Sequence, residues 1–169
     1  MSSRHLGLIA NDSKPGAREL VAALVREFAA HPVQLHLDHR TARLLGAENS
    51  ASESELADRC ELLIVLGGDG TILDALHALG DTLRPLFGIN LGSLGFLTTV
   101  GASELLRAVQ AIVAGDYVLS ERTLLKVEIV RDGTVILSRS VLNDAVASRG
   151  EVSRLVRLNV RLGDTVLTQ

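Results

Sequence analysis

Leu62-Leu63-Ile64-Val65-Leu66-Gly67-Gly68-Asp69-Gly70-Thr71-Ile72-Leu73 joins five consecutive aliphatic residues to three glycines set around one carboxylate. An unbroken aliphatic run, rather than an alternating one, is the pattern of a strand covered on both faces, as in a parallel sheet. From Thr71 to Leu79 the apolar residues take helical spacing, with Leu73 and Leu76 expected to face inward, and Gly80 ends the run. Thr71 and Asp74 stand at capping-box spacing, which predicts where that helix begins. The stretch therefore reads as strand, glycine turn and helix. In open parallel sheets ligands lie beyond the carboxyl ends of the strands, where this turn sits.

The same alternation extends in both directions. Leu6 to Ala10 reads as a buried strand, Asn11 to Gly16 as a polar turn, and Ala17 to Ala30 as a helix stopped by Pro32. Val33 to Leu37 is a second strand, Gly46 to Glu55 a surface loop, and a short helix runs up to about Arg59. Leu86 to Ile89 is a fourth strand and Ser103 to Ala114 another helix. Four strand–helix alternations predict an α/β fold: a parallel sheet flanked by helices. After Gly115 the texture changes. Two strand-like runs flank Arg131-Asp132-Gly133, which has hairpin chemistry, and Gly163-Asp164 turns a further pair. We therefore place an N-terminal α/β domain at 1–119 and the start of a β-rich second domain at 120–169. That second part is expected to be incomplete at its C-terminus, because so few strands bury little core.

Composition narrows the function classes. Hydrophobic residues make up 47% of the 169, enough for a packed core. The formal charge is −3, the 17 basic residues form no run, and aromatics are 2%. The basic stripe and stacking rings of a nucleic-acid binder are both missing. Cys60 is the single cysteine, so neither an intramolecular disulfide nor a two-cysteine metal site is available. No signal or membrane-spanning segment is legible, and a cytoplasmic protein is expected.

The glycine turn has two readings. Glycines allow close backbone approach, and their amides with the following helix N-terminus attract anions such as phosphate. A carboxylate is ill suited to a pure phosphate cradle. Asp69 makes sense as the acceptor of a proton from an attacking hydroxyl, or as a holder of Mg²⁺ through water. Against this, Asp-Gly is common in ordinary turns, and the residues of the turn alone fit either reading equally. The turn is not a dinucleotide fingerprint, since Leu73 stands where the third glycine belongs, and no Gly-Lys-Thr or Gly-Lys-Ser follows as in a P-loop. A second cluster, Phe87 to Thr98 (FGINLGSLGFLT), also follows a strand. Its Phe96 can face a base or plug the core beneath the loop.

With both clusters in view the chain resembles the NAD kinase family. The likeness rests on Gly67-Gly68-Asp69-Gly70-Thr71, on Gly88-Ile89-Asn90-Leu91-Gly92-Ser93-Leu94-Gly95-Phe96-Leu97-Thr98, on Glu121-Arg122 and on Leu142-Asn143-Asp144. The first motif is shared with diacylglycerol and sphingosine kinases; the second is the specific one. The resemblance implies an enzyme that phosphorylates the adenosine 2′-hydroxyl of NAD from ATP or another donor, with Mg²⁺, giving NADP. It implies Asp69 as the base, Gly67, Gly68, Gly70 and Thr71 around the nucleotide, and Phe96 lining the dinucleotide pocket. Asn143 and Asp144 would contact NAD, with Asp one methylene shorter than the family's commoner Glu, and Arg154 would be a basic residue near the substrate. It further implies a homo-oligomer for the full-length protein, and no nucleic-acid or membrane partner. Family members continue into a Thr-Pro-Thr-Gly-Ser-Thr-Ala-Tyr segment that this sequence lacks, so the chain is expected to be truncated.

Other candidates read blandly. His36 and His39 around Asp38 fit a solvated edge better than a metal site. His77 is expected on a helix surface, Glu53-Ser54-Glu55 in a wet loop, and Ser93 has no adjacent base to make it a nucleophile. The rival functions are a lipid kinase sharing the glycine turn and a non-catalytic nucleotide-binding module.

Overall fold

The computed structural model describes residues 4–80, 82–92, 95–146 and 158–168. The chain divides into two compact units, Met1–Ser120 and Glu121–Gln169.

In the first unit the strands are β1 (Arg4–Ala10), β2 (Val33–Leu37), β3 (Leu62–Gly67), β4 (Leu86–Asn90) and β5 (Val100–Gly101). The helices are α1 (Ala17–Ala29), α2 (His39–Leu45), α3 (Glu53–Arg59), α4 (Asp69–Leu79) and α5 (Leu105–Ala114), the last preceded by a 3₁₀ turn at Ala102–Glu104. All five strands pair in parallel, in the order β2-β1-β3-β4-β5. The α/β class and the helix-flanked parallel sheet match the sequence reading.

The unbroken aliphatic run of β3 is explained by its two faces. Leu62, Ile64 and Leu66 join Leu6 and Leu8 of β1 under Val21, Leu24 and Phe28 of α1 and Val109 and Ile112 of α5. Leu63 and Val65 join Ile9 under Leu56 of α3 and Ile72, Ala75 and Leu79 of α4. Each face thus buries a continuous apolar layer, the main source of folding free energy. The inward stripe of α4 is Ile72, Ala75 and Leu79; Leu73 and Leu76, expected inward, lie half-buried beside it.

Three local expectations are corrected. The expected loop from Gly46 to Glu55 contains a helix start: Ser52 and Glu55 form a reciprocal capping box, so Glu53-Ser54-Glu55 is the first turn of α3. Asp38 is 1% exposed and caps α2, accepting from the amides of Arg40 and Thr41 and from the Thr41 hydroxyl. It is no solvated edge. The flanking histidines also have partners: His36 stacks on His5, and His39 Nδ1 lies 2.7 Å from Ser50 Oγ. Thr71 does not cap α4. The N-cap is Gly68, and α4 begins at Asp69, two residues before the expected start.

The second unit contains two antiparallel hairpins, β6 (Leu125–Arg131) with β7 (Thr134–Val141), and β8 (Val160–Leu162) with β9 (Thr165–Thr168). Asp132 and Gly133 both take positive φ (49° and 76°), the backbone that a tight hairpin turn demands.

Candidate active site at the ends of β3 and β4

Strand order reverses between β1 and β3: the chain first winds outward to β2, then returns across β1 to β3, β4 and β5. The crevice beyond the carboxyl ends at such a reversal is where open α/β sheets bind ligands. Three segments meet there. Asn11 follows β1, and its amide donates to the Leu66 carbonyl (2.9 Å). Gly67 ends β3 directly opposite Asn90, the last residue of β4. The two glycine clusters therefore leave neighbouring strands at one level.

Gly67 is glycine for a packing reason. A Cβ there would overlap the Thr71 side chain, whose hydroxyl in turn accepts from Asn11 Nδ2 (3.3 Å). Gly68 and Gly70 differ: among the described residues, a Cβ on either would meet nothing within 4 Å beyond its own local backbone. That side of the turn is clear, and no side chain caps the first amides of α4, the polar groups a helix N-terminus offers to an anion.

Asp69 is half-exposed, and its carboxylate is held by the second loop. Oδ1 accepts from the amides of Leu97 (3.0 Å) and Thr98 (3.2 Å), and Oδ2 from the amide of Phe96 (2.9 Å). These bonds, the Phe96 amide foremost, hold the acid below the ordinary carboxylate range. The sequence reading gave this carboxylate a proton or Mg²⁺ to hold and no partner within the protein. Instead it ties the turn to the neighbouring loop. Gly95 makes room for it, since a Cβ there would overlap the carboxylate. An ionised carboxylate has about four acceptor positions. Three are filled, and the remaining one is on Oδ2.

The loop has its own scaffold, which the sequence reading missed as functional. Thr98, 6% exposed, accepts on its hydroxyl from Asn90 Nδ2 (3.0 Å) and from the Gly95 amide (3.1 Å). Asn90 Oδ1 accepts from the Gly92 amide (2.7 Å). A buried Asn ending an apolar strand, eight residues before a Thr, was the available signal. Phe96 is 97% exposed, so it does not plug the core. Asn143 and Asp144 are exposed just past β7 in the second unit. Arg154 and Ser93 lie outside the described residues, and His77 is exposed on α4.

An open parallel sheet with a strand-order reversal, a glycine turn opening a helix, and an acid held at the crevice together define an α/β protein with a candidate ligand site at its switch point. The chain belongs to the NAD kinase family: the family model described as the ATP-NAD kinase N-terminal domain matches residues 6–117. It is 33% identical to an NAD kinase of Natranaerobius thermophilus, over 97% of this chain and 58% of that protein. It is 40% identical to one of Geobacter metallireducens, over 90% of this chain and 52% of that protein. The chain thus spans about half the length of the curated relatives it matches. Among solved structures, the fold resembles yeast NADH kinase complexed with NADH, with a TM-score of 0.72 and 22% identity, over 85% of this chain and 48% of that one. It also resembles an NAD kinase from Archaeoglobus fulgidus in complex with ATP, with a TM-score of 0.51 and 23% identity, over 78% of this chain and 45% of that one.

Proposed function

We propose that the protein is an NAD kinase, moving the γ-phosphoryl group of ATP, or of another phosphoryl donor, to the 2′-hydroxyl of the adenosine ribose of NAD and giving NADP. The observation that carries this is the pairing of the two glycine loops through one half-exposed acid with a single acceptor position left. Asp69 Oδ2 would take the proton as the ribose O–H bond breaks. The ribose oxygen then bonds to the γ-phosphorus while the bond to the ADP oxygen breaks. The clear face at Gly68 and Gly70 and the first amides of α4 would meet phosphate oxygens. Exposed Phe96 offers a flat apolar ring to the dinucleotide, and the family resemblance supports Asn143, Asp144 and Arg154 as further NAD-contacting residues. Membership of the family and the second loop favour this over a lipid kinase.

Mg²⁺ would arrive on the phosphates of ATP. Among the described residues no group of three His, Cys, Asp or Glu side chains is placed to hold a metal. We place the protein in the cytoplasm as a homo-oligomer; no helix among the described residues is long and apolar enough to cross a membrane.

Asp69→Asn tests the base. General-base catalysis contributes about 10²- to 10⁴-fold, so in a full-length version kcat for NADP formation should fall by that order while the far-UV circular dichroism stays unchanged. Turnover near the wild-type rate would refute the assignment.

A further inference from the structure

We propose that Thr98 is a positioning residue for Asp69: its hydroxyl folds residues 95–98 into a three-amide clasp that decides which carboxylate oxygen faces the substrate. The inference rests on the kinase reading for its catalytic meaning, and on geometry alone for the clasp.

Thr98 works in two directions at once. Its side chain faces β4, where Oγ1 accepts from Asn90 Nδ2 and from the Gly95 amide. Its main chain faces α4, where the amide donates to Asp69 Oδ1. A hydroxyl oxygen has two lone pairs, and both are used. The bond to Gly95 pulls the loop back on itself by three residues, and the bond to Asn90 pins that bend to the end of β4. The fold so made turns the consecutive amides of Phe96, Leu97 and Thr98 toward one point, a nest suited to an anion. Asp69 fills it, entering over Gly95, the position with no Cβ to block it.

The clasp is asymmetric. Oδ1 takes two amides and has no acceptor position left, whereas Oδ2 takes one. The oxygen able to receive a proton is thus chosen by the loop, and the loop is shaped by a side chain that need not touch substrate. Valine has nearly the same shape as threonine but accepts no hydrogen bond. Thr98→Val would remove the acceptor from two donors at once, while Thr98→Ser would keep it.

The test combines amide spectra with kinetics. In ¹⁵N-labelled protein the amide protons of Phe96, Leu97 and Thr98 should resonate downfield, as carboxylate-bound amides do. Thr98→Val should move all three upfield and lower kcat by about 10²-fold, the scale of a small misplacement of a reacting group, with KM for NAD little changed. Thr98→Ser should restore both. Gly95→Ala is the second variant: it leaves the Thr98 hydroxyl in place but puts a methyl group where the carboxylate lies, and should give the same spectral and kinetic loss. Wild-type amide shifts in Thr98→Val, or a serine variant as impaired as the valine one, would overturn the proposal. If the valine variant does not fold, unchanged shifts in Gly95→Ala overturn it instead. Should the spectra change as expected while the full-length wild-type protein makes no NADP, the clasp stands and the kinase reading fails.

Discussion

At the scale of single residues, the structure repeatedly replaces solvent with a specific partner. His36 is the clearest case beyond the candidate site. Its ring is stacked on His5, with Nε2 3.0 Å from His5 Nδ1, a contact that needs one donor and one acceptor. Burial foremost, with the nearby charges of His5 and Arg59, pushes the His36 pKa below its ordinary value of 6.5. The unfolded chain therefore takes up a proton on His36 at higher pH than the folded one. Stability from this group is complete above about 6.5 and is lost as the pH falls from there through the lower folded value. Urea midpoints measured at stepped pH should decline below neutrality in the wild type, and His36→Gln should flatten that decline. An equal decline in the variant would remove His36 as its cause. Asp69 carries the same sign at a more acid pH: the contribution of its clasp is present above the ordinary carboxylate range and lost as the acid protonates. None of these contacts was readable from spacing, because the partners lie 27 to 31 residues apart in the chain.

At the scale of elements, caps determine where the helices begin: the box expected at Thr71 and Asp74 does not form, and one forms in the stretch expected to be a loop. Ser52 and Glu55 form the reciprocal box, with the Ser52 amide 2.8 Å from Glu55 Oε2 and the Glu55 amide 3.3 Å from Ser52 Oγ. Thr71 and Asp74 have the same spacing and do not. The difference is tertiary. Thr71 is buried against Gly67 and accepts from Asn11, so its hydroxyl is committed elsewhere and Gly68 opens the helix. Ser52→Ala should therefore destabilise the first unit by about 1 kcal/mol, the usual cost of losing a side-chain cap, read from the urea midpoint. A change indistinguishable from zero would mean that α3 is held by Leu56 and Ala57 alone. Element type was legible in every long strand and helix of the first unit, since burial on one or two faces leaves a periodic trace. The short α2 and the two-residue β5 left none, being held by the Asp38 cap and by pairing with β4.

At the scale of the whole chain, burial is unevenly shared. Every buried hydrophobic residue among those described lies between Leu6 and Ile112, whereas Leu125, Ile129, Val130, Val135, Ile136 and Leu162 of the hairpins are exposed. Residues 1–120 alone should unfold in one cooperative thermal transition followed by circular dichroism. Residues 121–169 alone should show none, because an isolated two-stranded hairpin is marginal in water. A cooperative melt of the shorter piece would contradict this. By itself the sequence determined the α/β class, the parallel sheet, the glycine turn at the end of β3 and the hairpin at Asp132-Gly133, which are written in local periodicity and turn chemistry, and the family resemblance, which is carried by the two glycine motifs. Only the tertiary structure decided that β3 and β4 are neighbours in a register that sets Gly67 beside Asn90, and that Asp69 is consequently gripped by the amides of Phe96, Leu97 and Thr98. The reason is physical: a backbone amide is the same group at every residue but proline, so which amides converge on a carboxylate depends on how the chain packs in space and not on local sequence spacing.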